Sequence, residues 1–470
     1  MTGTTTADAS GPAAATDRQM GLTQSTSLVV GSIIGVGIFS LPYSLAGFGP
    51  ISLVAMGIAS LTAIAFAVLF AALSRRLPAD GGPYAYSRAA FGNGIGFANA
   101  WSYWIDACAG NAAIAVGWVY YVEHFVNPGG ATGVSMLIAL TCLWLPAVVN
   151  LFGIRSVGEF QVVTVVLKFI PLLFMATVGL FFISSRNFSV WNTSGDSSLS
   201  AIGGAMAICL FTYLGVETAA VAAAKVRNPR RNIPRATVLG TLASAVVYML
   251  SLTAVFGILP AAALALDENR DSYAAATNSI LGGSWSGDLV AVAVIISGLG
   301  ASNGWTMICA EMPRAAAEDG LFPGAFTRTN RRGAPVVGIV CSTLFASVAV
   351  VISFWGTDGS TVFTTLVLMT GITAAIPFGF SALAQIVWRV RDRRAGFTPH
   401  FLRDVVVAVV SLAASIAFIY YSRNTGDSWY VVWGPFLMAG AALLIGVPVY
   451  LAERGRMRPP EPVEYDPSRL

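Results

Sequence analysis

The chain has 470 residues, of which 56% are hydrophobic and only 11% are charged, and its formal net charge is +4. This composition excludes a soluble domain, whose surface must face water, and makes the lipid bilayer a partner of the chain. The basic residues are spread over short loops instead of forming one patch, which excludes nucleic acid as a partner. The five cysteines lie in apolar segments without CxxC spacing, so neither a metal nor another cofactor is expected.

The chain begins with a polar segment and continues with long apolar ones. Residues 1–20 are rich in Ala, Thr, Ser and Gly, and we interpret them as a disordered cytoplasmic tail. A helix needs about 20 mostly apolar residues to cross the hydrocarbon core of a membrane. Twelve segments meet this requirement: 22–48, 50–74, 94–124, 133–151, 157–184, 200–224, 234–260, 287–312, 335–355, 361–388, 404–422 and 429–451. The sequence therefore predicts an all-α integral membrane protein with 12 transmembrane helices.

The distribution of Lys and Arg predicts the orientation of these helices. With the N-terminus inside, 23 basic residues fall on the cytoplasmic side and only 3, namely Arg186, Arg270 and Arg423, fall outside. Cytoplasmic loops of membrane proteins carry most of the basic residues. We therefore expect a protein of the cell membrane with both termini in the cytoplasm, including a C-terminal tail at 453–470.

The first apolar segment contains residues that weaken a helix. Its stretch GSIIGVGIFSLP, at 31–42, includes Gly31, Gly35 and Gly37, followed by Pro42. The first two of these glycines form a GxxxG pattern, which is typical of close packing between membrane helices. The third glycine instead favours an interruption of the helix itself.

The sixth segment carries a related interruption. In TYLGVET, at 212–218, Gly215 and the ionisable Glu217 lie at membrane depth. The first and sixth segments are equivalent if the first ten form two repeats of five helices, and such paired interruptions indicate the substrate site of a transporter. Unwinding frees N–H and C=O groups, which need partners inside a membrane. A zwitterionic amino acid supplies both, because its carboxylate accepts from N–H groups and its ammonium donates to carbonyls.

Two ionisable residues and one tryptophan within apolar segments are further candidates. Lys168, in VVLKFIPLL, lies too deep for its stem to reach water, and burial disfavours its charged form, so we interpret it as a proton-coupling group. Asp106, in SYWIDACAGN, shares a helix face with Tyr103 and lies beside Asn111. It either receives a cationic side chain of the substrate or pairs with another buried polar group. Trp305 either stacks on a cation or belongs to the core.

Four motifs of the chain resemble those of the amino acid/polyamine/organocation superfamily of transporters. They are GSIIGVGIFSLP at 31–42, GGPYAYSRAAFG at 81–92, FTYLGVETAAVAAAKVRNPRRNIPRA at 211–236 and GWTMICAEMPRAAAEDGLFP at 304–323. Within the superfamily, the chain is similar to the bacterial arginine/agmatine antiporter group, whose members carry basic amino acids and polyamines. The resemblance runs through roughly residues 20–450, in order and with similar spacing.

This resemblance implies a core of two inverted repeats of five helices, with the first and sixth helices unwound around the substrate. The implied divisions are a first repeat at 21–185, a second repeat at 200–390 and two further helices at 400–452.

The resemblance also implies roles for single residues. Main-chain groups around Gly35 would hold the head group of the substrate: the N–H groups of Val36 and Gly37 its carboxylate, and the carbonyls of Ile33, Phe211 and Leu214 its ammonium. The positions of Asn111 and Trp305 correspond to those that hold the substrate side chain in the antiporter. The positions of Tyr103 and Glu217 correspond to part of a gate on the cytoplasmic side of the site.

Three residues depart from the antiporter pattern. Phe211 stands where the antiporter has a tryptophan, which predicts a smaller or differently gated lid over the substrate. Asp106 stands where the antiporter has a small residue, and it adds a negative charge beside the side-chain site. Lys168 is absent from the antiporter but matches a lysine that replaces a bound sodium ion in other members of the superfamily. There its ammonium would face carbonyls near Gly31 and Ile34.

These features predict a sodium-independent secondary transporter of amino acids, working by alternating access with proton coupling or pH gating. The expected substrates are cationic amino acids or related amines, such as arginine, lysine, ornithine, agmatine or a polyamine. Two alternatives remain open, an obligate exchanger without proton coupling and a proton symporter of neutral amino acids. The expected partners are therefore the substrate, protons and the bilayer, and the sequence is compatible with a homodimer without deciding it.

Other classes of protein are less well supported. A channel would show a polar stripe through several helices, whereas the polar residues here are isolated. A sensor that binds an amino acid without moving it would be expected to carry a soluble output domain. We expect no enzyme, because the two histidines, His124 and His400, lie in loops and no nucleophile or metal constellation accompanies them.

Overall fold

The computed structural model describes residues 20–460 except 80, 153–156, 222, 224–225, 356–358, 395, 397–399 and 425–427, with side chains left out at 157–163 and 359–360. The predicted tails at 1–20 and 453–470 therefore lie largely outside the described residues. Within the described part the secondary structure is helical, and its extended pairing is one isolated bridge between Met20 and Val226. The prediction of an all-α chain is confirmed for these residues.

The helices of the first half of the chain alternate between long apolar segments and short pieces. They are α1 (Leu22–Ile33), α2 (Gly37–Leu45), α3 (Ser52–Arg76), α4 (Pro83–Phe91), α5 (Asn93–Glu123), α6 (Thr132–Leu151), α7 (Val157–Thr177), α8 (Ser198–Phe211) and α9 (Thr218–Val221). The second half continues with α10 (Pro229–Ile258), α11 (Ala261–Leu264), α12 (Ser272–Leu281), α13 (Trp285–Glu318), α14 (Val336–Ser353), α15 (Gly359–Arg394), α16 (Phe401–Tyr421), α17 (Trp429–Val432) and α18 (Gly434–Glu453).

Ten helical segments of the described chain are long and apolar enough to cross a membrane, where α1 and α2 count as one segment. Each coincides with a predicted segment. Two further apolar helices, at 164–177 and 198–211, are shorter and fall in the fifth and sixth predicted segments. Together with the apolar composition, these helices make the chain a multi-pass membrane protein.

The fifth and sixth predicted segments end earlier than expected. The fifth was expected to reach residue 184, but α7 ends at Thr177 and a 3₁₀ turn, Gly179–Phe182, follows. The sixth was expected to reach residue 224, but α8 ends at Phe211. The apolar run continues past both ends, and hydropathy alone does not detect where such a run stops being helical.

Helix α5 lies at the centre of the fold. It packs against α15 on one side and α13 on another, and the most apolar part of this helix is 94% buried. The interrupted pair α1 and α2 contacts α5, α10 and α13, and α7 packs against α10 and α13. This arrangement places the two helix interruptions next to the middle of α5.

Candidate functional site

The first interruption separates α1 from α2. Ile34 has an extended conformation (φ −77°, ψ 92°), and the N–H of Gly35 turns back to donate to the carbonyl of Ile33 at 2.9 Å. Helix α2 then begins at Gly37, where a Cβ would lie 2.7 Å from a ring carbon of Phe211. A side chain at this position would therefore have to displace the ring of Phe211, which lies against the backbone. The first N–H groups of α2 have no acceptor within their own helix and are available to a ligand.

The second interruption follows α8. After Phe211 the chain runs through turns until α9 begins at Thr218. Gly215 has φ +105°, a conformation that glycine adopts most easily, and a Cβ there would lie 2.9 Å from the carbonyl carbon of Ser32. The two interruptions are therefore in direct contact, and any side chain at Gly215 would push against the last turn of α1.

A tyrosine that the sequence analysis did not identify joins the two interruptions. The Tyr248 hydroxyl, on α10, lies 2.9 Å from the carbonyl oxygen of Ile33 and 3.3 Å from that of Thr212, and donates to this pair. Since Ile33 also accepts from the Gly35 N–H, both lone pairs of its carbonyl have donors in this conformation. A substrate ammonium at Ile33 would share this carbonyl with these donors or replace one of them.

The interruptions enclose a cavity of about 20 Å³, close to the space that one water molecule needs. Ten residues line it: Ser32, Ile33, Gly35, Gly37, Gly110, Ile114, Phe211, Thr212, Leu214 and Trp305. Six of these residues were predicted as substrate contacts from the sequence, namely Ile33, Gly35, Gly37, Phe211, Leu214 and Trp305. The site is thus small and lies between α1, α2, α5, α8 and α13.

Two of the other predicted residues lie beside the cavity. The side chain of Val36 packs toward Gly117 and Gly298, where it would contact a Cβ at 3.3 Å and 2.8 Å respectively. Only the main chain of Val36 is therefore free to face the cavity. Asn111 is 3% exposed, and its amide bridges two residues of α13, donating to Thr306 at 3.3 Å and accepting from Ser302 at 3.1 Å.

Ser302 and Thr306 were not identified from the sequence, although they fix the position of Asn111. Their only signal is their place on α13 one turn apart, on a face next to Trp305. Isolated Ser and Thr residues are common in membrane helices, where they satisfy the backbone of their own helix, as Thr306 does with Ser302. Pattern alone could not separate these two from the rest.

The predicted gate residues form a hydrogen-bonded pair. The Tyr103 hydroxyl donates to one carboxyl oxygen of Glu217 at 2.7 Å, and the N–H of Gly215 donates to the other at 3.3 Å. Both side chains are fully buried. The pair therefore connects α5 to the second interruption, and separating α5 from this segment would break it.

The other two ionisable residues predicted from the sequence are also buried, at 1% exposure each. Lys168 lies on α7, and its Nζ donates to the carbonyl oxygen of Gly31 in the last turn of α1 at 2.9 Å. Asp106 lies on α5, one turn from the cavity residue Gly110 and less than one turn from Tyr103. The structure therefore brings a lysine against the first interruption and a carboxyl group between the cavity and the Tyr103 pair.

Two interrupted membrane helices surround a small buried site, and a lysine bonds to one of them. This arrangement defines a membrane protein of the kind that binds a small molecule inside the bilayer. The chain belongs to the amino acid permease family, whose model matches residues 20–445.

Characterised relatives cover most of the chain. It is 28% identical to an arginine/ornithine antiporter of Pseudomonas aeruginosa, over 90% of this chain and 91% of the relative. It is 31% identical to an L-lysine transport protein of Corynebacterium glutamicum, over 83% of this chain and 78% of the relative. A cadaverine/lysine antiporter of Escherichia coli is 28% identical over 78% of this chain and 83% of its own length. These relatives are transporters of basic amino acids and amines, not enzymes.

Proposed function

We propose that this chain is a sodium-independent secondary transporter of cationic amino acids or related amines that works by alternating access with proton coupling. One observation carries the proposal: the interruptions of two membrane helices meet at a cavity lined by six of the residues expected to contact the substrate. The relatives, which carry arginine, ornithine, lysine and cadaverine by their names, support the substrate class.

The proposed architecture has 12 transmembrane helices. In it, α7 and α8 complete the fifth and sixth crossings together with the non-helical residues that follow them, which adds two crossings to the ten long apolar segments. Residues 21–185 and 200–390 would form two inverted repeats of five helices, and 400–452 the last two helices. Both termini would lie on the cytoplasmic side of the cell membrane, as the basic residues favour.

The head group of the substrate would bind the main chain at the interruptions. The N-terminus of α2, with the N–H groups of Val36 and Gly37, carries the positive end of a helix dipole and suits a carboxylate. The carbonyls of Phe211 and Leu214 at the end of α8, with that of Ile33, would accept the ammonium. Such a site recognises what all amino acids share.

The side chain of the substrate would extend along α5 and α13. Trp305 is 4% exposed and lines the cavity, so its ring could cover a guanidinium or ammonium group. Asn111 lies beside it with its amide fixed by α13. Asp106, one turn further along α5, would supply the negative charge that favours a cationic side chain.

Two polar contacts would couple binding to movement. Lys168 bonds to Gly31 directly before the first interruption, so a change in its protonation would loosen α1 where the substrate binds. The pair of Tyr103 and Glu217 joins α5 to the second interruption, and opening toward the cytoplasm would separate it. Movement of one repeat against the other around this site would allow access from each side in turn.

Purified protein in liposomes tests the proposal. Labelled lysine should accumulate in vesicles without internal substrate when a pH gradient is applied, and replacing sodium by choline should leave uptake unchanged. Unlabelled arginine, ornithine and cadaverine should compete, whereas glutamate should not. Uptake that requires internal substrate and ignores the pH gradient would support the obligate exchanger. Binding of lysine without accumulation under any gradient would contradict transport altogether.

A further inference from the structure

Asp106 differs from the other buried ionisable groups near the cavity because no hydrogen bond satisfies it. The residue is 1% exposed, and within the described part of the chain neither of its carboxyl oxygens has a hydrogen-bonding partner. By contrast, Lys168 donates to a carbonyl, and Glu217 accepts from Tyr103 and from the main chain of Gly215. Buried polar groups in proteins are rarely left in this condition, and the exceptions call for an explanation.

Among the described residues, the surroundings of Asp106 offer no positive charge to balance a carboxylate. The titratable groups that act on it electrostatically are Tyr103 and Cys108 of α5, Cys309 of α13 and Glu217 between α8 and α9. None of these four is a cation, and Glu217 repels a second negative charge. Burial of an ionised carboxylate without donors or a counter-ion is strongly disfavoured.

The neighbouring helix α15 adds no ionisable group at this level. Its polar contact with α5 at this level is made by main chain: the carbonyl of Thr373 accepts from the hydroxyl of Ser102 at 2.7 Å. The neutral acid is therefore the form of Asp106 that these surroundings favour.

Two helices independently place Asp106 one turn from the cavity. On α5, Gly110 lines the cavity and Asp106 follows four residues toward the N-terminus, on the same face. On α13, Trp305 lines the cavity, and Cys309, four residues toward the C-terminus, interacts with Asp106. Because both helices lead in the same direction, Asp106 lies between the cavity and the Tyr103 gate.

A substrate bound by its head group at the interruptions would therefore bring a distal cation toward Asp106. When it arrives, the O–H bond of the carboxyl group would break and the proton would pass to water on the open side of the protein. The carboxylate would then pair with the ammonium or guanidinium. The cation takes the place of the proton, so the site would not gain a net charge inside the membrane.

We propose that Asp106 holds a proton in the empty site and releases it when a cationic side chain binds. This inference rests on the proposed function and adds to it a second proton site that only the substrate side chain reaches. Lys168, in contact with α1 beside the head-group site, senses every amino acid alike. The number of protons released would therefore distinguish cationic from neutral substrates.

The experiment compares lysine with norleucine, which has the same carbon chain without the ammonium. The full-length protein in detergent, in weakly buffered solution near pH 7, is titrated with each amino acid while a pH-sensitive dye reports released protons. Saturation with lysine should release about one proton more per protein than saturation with norleucine. By linkage, the affinity for lysine should rise by up to tenfold for each pH unit while that for norleucine rises less.

Variants then assign the proton to its residue. Asp106→Asn should abolish the difference between lysine and norleucine and should weaken lysine binding at least tenfold while preserving norleucine binding. Asp106→Glu should restore the difference. An equal proton count for both ligands in the wild-type protein, or an undiminished difference in Asp106→Asn, would overturn the inference.

The wild-type measurement tests the role of Asp106 even if a variant fails to fold. It also separates the two proposals, since both amino acids bind with equal proton counts if only the role of Asp106 is wrong. If neither lysine nor norleucine binds, the proposed function itself fails. If lysine binds and norleucine does not, the pH dependence of lysine affinity becomes the deciding measurement. The increase of lysine affinity with pH should be smaller in Asp106→Asn than in the wild type, by about tenfold per pH unit.

Discussion

Lys168 holds the end of α1 from the neighbouring helix α7: its Nζ donates to the carbonyl oxygen of Gly31 at 2.9 Å, two residues before the helix stops at Ile33. A carbonyl this close to a helix end needs a partner from elsewhere, because the chain beyond it no longer supplies an N–H at the regular spacing. The ammonium therefore stabilises the interruption most strongly while it keeps its proton, because a neutral amine is a weaker donor to the same carbonyl.

This bond predicts that Lys168→Ala removes the pH dependence that lysine and norleucine uptake share, whereas the part that Asp106 adds for lysine alone remains. The variant should still fold, because the substitution replaces no apolar contact by a charge. Its uptake should fall at least tenfold, because the first interruption loses its support from α7. Initial rates of lysine and norleucine uptake into liposomes, measured across external pH values from 5 to 9, provide the test. Thr177→Ala serves as the control, because Thr177 is on the same helix and its hydroxyl donates to carbonyls of that helix. A pH profile that Lys168→Ala leaves unchanged would refute the coupling role.

The hydrogen bond between Tyr103 and Glu217 predicts that Tyr103→Phe destabilises the protein more than the same substitution at another buried tyrosine. Tyr103→Phe removes a donor from a buried carboxylate and should cost about 1–3 kcal/mol of stability in the closed form. Tyr86→Phe is the matched control, because the Tyr86 hydroxyl is buried without a partner among the described residues, so its removal should be neutral or stabilising.

Thermal unfolding of both variants in detergent, with and without lysine, measures this difference. Tyr103→Phe should melt several degrees below the wild type and Tyr86→Phe should not. Equal melting temperatures for the two variants would mean that the pair of Tyr103 and Glu217 does not hold the closed form together.

The contact between Gly215 and Ser32 predicts that the second interruption tolerates no side chain. Alanine at Gly215 would be strained at φ +105° and would place its Cβ 2.9 Å from the carbonyl carbon of Ser32, which is backbone and cannot rotate away. Gly215→Ala should therefore reduce uptake more than tenfold or prevent folding. Gly57→Ala is the control, since no atom lies within 4 Å of a Cβ built there, and alanine suits the interior of α3.

Fluorescence-detected size exclusion after heating, together with lysine uptake, distinguishes these variants. If Gly215→Ala folds and transports as well as Gly57→Ala, the close contact between the two interruptions is not needed for function.

The interruptions themselves were predictable from the sequence, because glycines within apolar runs weaken a helix wherever the rest of the chain lies. The Tyr248 contact was not, since it joins residues 215 positions apart and a lone tyrosine in an apolar helix resembles a core residue. The same reason explains why the partners of Asn111 were missed. Asp106 was identified as a buried charge, but its lack of partners depends on α8, α13 and α15 at once, and only the folded arrangement shows it.

The contacts of His124, at the end of α5 opposite the gate, predict that the stability of the protein depends on pH. Its Nδ1 lies 2.7 Å from Asp271, and its Nε2 lies 2.7 Å from Asp288 in the first turn of α13. Burial lowers the pKa of His124, but the hydrogen bonds and charges of Asp288 and Asp271 outweigh it and raise that pKa above the usual value. The protonated imidazole therefore connects the end of α5 to the segment before α12 and to α13.

The raised pKa of His124 determines how its stabilising effect changes with pH. Folding favours the protonated form, so this stabilisation is complete below the unfolded pKa of about 6.5 and is lost as the pH rises through the higher folded value. Burial has the largest effect on the pKa of Asp271 and raises it, and His124 offsets this rise only in part. Strong acid therefore also weakens the pair, because it protonates the Asp271 carboxylate. His124→Gln should therefore lower stability by about 1 kcal/mol at pH 6 and by much less at pH 9.

Melting temperatures of His124→Gln and the wild type at the two pH values check this prediction. The second histidine provides the control: His400→Asn keeps a residue that tolerates the left-handed conformation found there (φ 59°) and leaves the contacts of His124 in place. A deficit of the same size at pH 6 and pH 9 would show that His124 acts through its packing rather than its charge, because only the charged form pairs with both carboxylates.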